Sequence, residues 1–130
     1  MKLLTGEWLK SADSDIKTIN EIIENPELTH IVAFHAHQCV EKCFKAVLEE
    51  YRSKVDKIHD LLKLYKEIKK ILDIELNEDK LELLNKLYID ARYPSDLGLL
   101  PGGKPTLEDA REFYKFAEEV FHKIKEILEK

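Results

Sequence analysis

Between Pro26 and Pro94 the chain contains neither glycine nor proline, and neither occurs after Pro105. These are the residues that most reliably interrupt regular backbone structure. There are four of each, concentrated in the segment 94–105. In the uninterrupted stretches apolar residues recur every three to four positions, which is the helical period and not the two-residue period of a strand. The pattern predicts an all-α fold, a compact antiparallel up-down helical bundle of about five helices. With 130 residues, one domain spanning 1–130 is expected. Folding a chain of this size removes roughly two thirds of its surface from water, so no metal or disulfide staple is needed.

The first helix is expected over about 7–24, with Thr5 as N-cap, Leu4 and Leu9 as a hydrophobic staple, and Trp8, Ala12, Ile16, Ile19 and Ile23 facing inward. The second runs from Pro26 or Thr29 to about Tyr51, with Val32, Ala36, Val40, Cys43 and Val47 on one apolar face. Phe34, Gln38, Glu41, Lys42 and Lys45 lie on another, partly polar face. A helix apolar on several sides belongs at the centre of a bundle. The third is expected over about 59–72, carried by Leu61, Tyr65, Ile68 and Leu72. The fourth starts behind Asn77 as N-cap, with Leu76 and Leu81 as its staple. It shows Leu81, Leu84, Tyr88 and Ala91 to the core, and it stops by Tyr93, because Pro94 disfavours helical geometry before it. The last begins at Thr106, which with Asp109 fits a capping box. Its inner face is Leu107, Ala110, Tyr114, Ala117, Phe121, Ile124 and Leu128.

Charge and composition exclude several classes of function. The net charge of −5 argues against duplex DNA, whose binding draws on clustered Lys and Arg. No run of 18 apolar residues exists to cross a membrane. The opening segment turns polar too early for a signal peptide, so a cytoplasmic location is expected. Lys and Glu are abundant and Gln38 is the one glutamine, a thermophile-like composition. Cys39 and Cys43 stand one helical turn apart, a poor geometry for a disulfide, and read as reduced thiols.

Three segments together resemble the HEPN family. The first is the second-helix run from Ala33 to Ala46, with Gln38, then Glu41-Lys42, then Lys45. The second is His59-Asp60-Leu61, and the third is Ala91-Arg92-Tyr93-Pro94. The early Trp8 and the closing helix fit as well, so the resemblance covers nearly the whole chain. It implies a helical bundle that pairs into a homodimer, and it implies two kinds of work. Some members accompany minimal nucleotidyltransferases and are thought to bind nucleotide or substrate. Others are metal-independent RNases, often toxins of toxin–antitoxin pairs. Those carry an Arg followed by four to six residues and then a His, near the start of the last long helix. No such His follows Arg92; the next is His122. Arg52 and His59 match the spacing, but across the connection between helices two and three.

Gln38, Glu41, Lys42, Lys45, Arg92 and Tyr93 are therefore the candidate ligand-binding residues. Lys42 and Lys45 suit a phosphate, with Glu41 and Gln38 fixing the geometry of Arg92 or of a base. The alternative is a structural network, in which a buried Glu41 takes Lys45 or Arg92 as its cation. Arg92, at a helix C-terminus, suits either the helix dipole or an anion. Were the protein an RNase, Arg92 and His59 would carry the chemistry; otherwise His59 belongs to local capping. His30, His35, His37, Cys39 and Cys43 have some metal-ligand spacing, but Cys43 and His37 point in different directions, and neither metal nor cofactor is expected. Pro101-Gly102-Gly103-Lys104 could bring backbone amides to a phosphate, though without P-loop spacing. The expected function is a nucleotide- or substrate-binding accessory protein, beside a nucleotidyltransferase partner. The alternatives are an RNase and a structural dimerising adaptor.

Overall fold

The computed structural model describes residues 1–52, 54–55, 57–91 and 104–130, and the backbone alone of 89–91. Its five helices are α1 (Leu3–Ile22), α2 (Thr29–Tyr51), α3 (Leu61–Lys69), α4 (Glu78–Ala91) and α5 (Leu107–Glu129), and no strand occurs among the described residues.

Helix α2 is the axis. Fourteen of its 23 residues are buried, and it packs against each of the other four helices. Helix α1 runs antiparallel to it, since Lys2 at the start of α1 donates its backbone N–H to Glu50 near the end of α2. Helix α5 is antiparallel to α1: Arg111 near its start pairs with Glu24, and Glu129 at its end lines the same cavity as Met1. Helix α4 is also antiparallel to α2: Asn85 meets His37 and, further along, Tyr88 meets Phe34. Helix α3 departs from a simple up-down order. His59 sits against Glu41, Tyr65 stacks on Phe44, and Glu67 reaches Arg52, so α3 runs parallel to α2. The chain must therefore double back between Arg52 and Asp60.

The apolar stripes bury as their spacing requires. Ile19, Phe44, Leu48, Leu61, Leu64, Tyr65, Ile68, Leu81, Leu84 and Ile124 are all but inaccessible to water. Each such side chain contributes on the order of 1.5–3 kcal/mol on leaving water. The Tyr65 hydroxyl is buried with them and is satisfied twice. It donates to the carbonyl of Ile74 and accepts from the N–H of Leu76, which fixes the α3–α4 connection. Phe44 is wholly covered and Phe34 half-buried, so the bundle hides more of α2 than its sequence implied.

Helix starts follow local chemistry, with α1 as an exception. Asp60 caps α3 by accepting from Leu62 and Lys63, Asn77 caps α4 by accepting from Lys80, and Thr106 and Asp109 form the full capping box of α5. Thr5 is not a cap. Helix α1 begins earlier than its stripe suggests, at Leu3, and the buried Thr5 hydroxyl donates to Glu50. The carboxylate of Glu50, supplied by α2, takes over the role of a local cap. Leu4 is 58% exposed, so no Leu4–Leu9 staple forms, and Leu9 is in the core with Trp8 at its edge. Pro26 does not open α2: Asn25 accepts from the N–H of Glu27 in a turn, and the helix starts at Thr29.

Candidate functional site

The polar edge of α2 meets α1 on one side and α3 with α4 on the other, and each meeting encloses a carboxylate. Glu41 is 4% exposed and Lys45 6%. They are one turn apart, and Lys45 Nζ donates to Glu41 Oε2 at 2.9 Å. Lys45 Nζ also lies 5.8 Å from the centre of the Trp8 ring, within cation–π range. His59, from the connection that returns to α3, places Nδ1 3.1 Å from both oxygens of Glu41. An ionised carboxylate can only accept, so Nδ1 carries the hydrogen and donates it. The His59 side chain is 56% exposed, and its Nε2 has no hydrogen-bond partner among the described residues.

Behind this trio lies a second layer. Asn85 Oδ1 accepts from the N–H of Leu61 at 2.9 Å and from His37 Nε2 at 3.2 Å. Asn85 Nδ2 donates to Asp60 Oδ1 at 2.9 Å. His37 is fully buried, stacked flat on Tyr88 with ring centres 4.0 Å apart. Burial pushes its pKa down to about 4, more than the Glu41 charge and the Asn85 hydrogen bond can offset. His37 is thus neutral, its hydrogen on Nε2. Its bare Nδ1 is buried without a hydrogen bond, 3.7 Å from Glu41 Oε1.

The other carboxylate is Asp15, buried on α1. It accepts from Lys42 Nζ at 2.8 Å and pairs with His35 Nδ1 at 2.8 Å. Gln38 stands between the two clusters on the α2 surface. It is half-buried and makes no hydrogen bond among the described residues.

The structure therefore brings Gln38, Glu41, Lys42 and Lys45 onto one edge, and it pairs Glu41 with Lys45. It moves His59 from the expected capping role to Glu41; the cap is Asp60. Arg52 and His59 engage different carboxylates, Glu67 at 3.0 Å and Glu41. Arg92, Tyr93 and the Pro101-Gly102-Gly103 segment lie outside the described residues. Among the described residues no three His, Cys, Asp or Glu side chains converge as metal ligands. Cys39 and Cys43 are free and buried. The neighbouring Cys43 thiol and burial together hold the Cys39 thiol well above its ordinary pKa, which makes it a poor nucleophile.

Asp15, Asn85 and Tyr88 complete the site and are not among the candidates that sequence reasoning selects. The signal is present for two of them. Asp15 interrupts the inward stripe between Ala12 and Ile19, and Asn85 interrupts the one between Leu81 and Tyr88. A polar residue on an apolar stripe must find a buried partner.

A five-helix bundle with charged pairs sealed along its central helix defines an all-α domain with a polar interior seam. The HEPN domain model matches residues 5–127, and the chain belongs to the HEPN family. Two solved structures share the fold. The TT1696 protein of Thermus thermophilus is 23% identical, with a TM-score of 0.72 over 94% of this chain and 96% of that one. ST0689, an archaeal HEPN homologue, is 22% identical, with a TM-score of 0.64 over 96% of this chain and 97% of that one. No curated protein matches the chain. No helix among the described residues is long and apolar enough to cross a membrane.

Proposed function

We propose that this HEPN protein is a nucleotide- or substrate-binding accessory module that works as a homodimer beside a minimal nucleotidyltransferase. The observation that carries the reading is His59. Its Nδ1 is held by a buried carboxylate, so its orientation is fixed, while Nε2 remains available on a ring more than half exposed. A hydrogen-bonding group set in place before its partner arrives loses less entropy on binding. Gln38, with an unused amide, and Lys42, at the edge of the bundle, extend the same surface. Arg92 and Tyr93 belong to the proposed site on the strength of the family motif. A buried ion pair is weak support for stability, since apolar residues of similar volume often serve as well. The Glu41–Lys45 pair is sealed from solvent, so its part in binding is to orient His59 through Glu41.

The test is thermal and chemical denaturation with ATP, GTP, AMP and a mixed single-stranded RNA. A ligand at a hundred times its dissociation constant stabilises the fold by about 2.7 kcal/mol, and His59→Ala is expected to remove that gain. If none of the four shifts the transition, the binding reading fails and a dimerising adaptor remains. Light scattering should give twice the 15.2 kDa chain mass; a monomer would remove the homodimer.

A second reading, an RNase, is favoured by the same Glu41–His59 pair, because an imidazole held by a carboxylate is also a general base. It lacks a His at family spacing after Arg92, and Arg52 is engaged by Glu67. The accessory reading expects no cleavage of RNA in EDTA. Cleavage that His59→Ala abolishes would replace it with the RNase.

A further inference from the structure

We infer that Asn85 is a positioning residue of this site, holding His59 over Glu41 from the opposite side of the helix interface. The inference rests on the binding reading for its purpose but not for its geometry. His59 immediately precedes Asp60, and Asp60 is the N-cap of α3. Wherever the first turn of α3 is fixed, His59 is fixed with it.

Asn85 is what fixes that turn. Its carbonyl oxygen takes the N–H of Leu61, an orphan donor at the helix start that no intrahelical carbonyl can satisfy. Its amide nitrogen takes the Asp60 carboxylate, which is already accepting from Leu62 and Lys63. One side chain of α4 thus grips both the cap and the first residue of α3. The same oxygen accepts from His37 Nε2, tying the grip to α2, the helix that carries Glu41 and Lys45. His37 in turn stacks on Tyr88, three residues after Asn85 on α4. The amide of Asn85 has only one orientation that serves all three partners, because Leu61 offers a donor and Asp60 an acceptor. Aspartate at this position would keep the two acceptor contacts but set a second carboxylate against Asp60.

This geometry yields a reciprocal test. Asn85→Asp loses the donor to Asp60. Combining it with Asp60→Ser restores a donor–acceptor pair with the direction reversed, because the three contacts meet at one Asp60 oxygen, and a hydroxyl there can accept from Leu62 and Lys63 while donating to the new carboxylate. NMR of the imidazole nitrogens in the unliganded protein reads the His59 tautomer directly. In the parent, Nδ1 carries the hydrogen. Asn85→Asp is expected to release the ring to mixed tautomers, and the double variant to restore the parental pattern. ATP affinity should follow, falling about tenfold and returning, the effect of one lost hydrogen bond. Should the paired carboxylates prevent folding, Asn85→Ser removes the same contacts without added charge. A His59 tautomer unchanged in the folded single variant overturns the inference. Failure of the parent to bind ATP overturns the nucleotide reading instead, and leaves the tautomer result to decide the role of Asn85.

Discussion

Glu41→Ala is expected to destabilise the fold by about 3–5 kcal/mol, the usual consequence of removing one partner from a buried pair. Among the described residues Glu41 is the only carboxylate paired with Lys45, whose side chain is 7% exposed. Without it, a cation stays in the interior beside the Trp8 ring, which offers no strong hydrogen-bond acceptor. His59 loses its acceptor at the same time. The double replacement Glu41→Leu with Lys45→Met removes both charges and is expected to recover most of the loss, as apolar substitutes for buried pairs commonly do. Urea denaturation of the parent and both variants measures this. A single variant that melts like the parent would show Glu41 to be hydrated in solution.

Stability should also fall as the solution is acidified from pH 6.5 to about 4. The group responsible is His37, whose pKa drops from 6.5 to about 4 on burial. The unfolded chain takes up a proton in this window that the folded chain refuses, so stability is complete above 6.5 and declines until the folded pKa is passed. At about 1.36 kcal/mol per pH unit the loss is about 3 kcal/mol. His30 is depressed in the same direction, by burial first and then by the Lys104 charge, so His30→Gln is the necessary control. Glu24, Glu50 and Glu67 are held below the ordinary carboxylate value of 4.5, chiefly by Arg111, the Lys2 backbone N–H and Lys70 respectively. Their contributions begin to be lost as the pH falls past 4.5, at the acid edge of the His37 window, so the His37 slope is read between pH 6.5 and about 5. In His37→Gln, which keeps a donor for Asn85, combined with His30→Gln, denaturation midpoints between pH 6.5 and about 5 should become nearly flat, and His37→Gln alone should remove the larger share of the slope. An unchanged slope would place the acid sensitivity elsewhere.

Helical periodicity and capping chemistry are legible in the sequence because both are local. The α4 and α5 starts follow from Asn77 and from Thr106 with Asp109, whose partners lie three residues away. The α1 start is not legible in this way, because an N–H at its opening is met by Glu50, 48 residues from Lys2. The same division runs through the site. Glu41 and Lys45 are one turn apart on a single helix, so spacing alone pairs them. His59 joins them only because the chain doubles back after Arg52, and a reversal of that kind has no signature in hydrophobic period. Asn85 lies still further from the others in sequence, and only its intrusion on an apolar stripe points to an interior partner.

The parallel course of α3 beside α2 has a consequence for how the molecule breathes. Helices α1, α2, α4 and α5 alternate in direction, while α3, nine residues long, runs with α2 and closes over the Glu41 end of the seam, led by His59. Lifting it hydrates two charges that are otherwise sealed from solvent, and that hydration offsets part of the apolar burial given up. Lifting α3 also uncovers Leu61, Leu64, Tyr65 and Ile68, all but inaccessible to water in the closed bundle, so most of the cost of opening is apolar and α3 stays with the cooperative core. The charged seam that the fold keeps under α3 lowers the cost of opening that side of the bundle only in part.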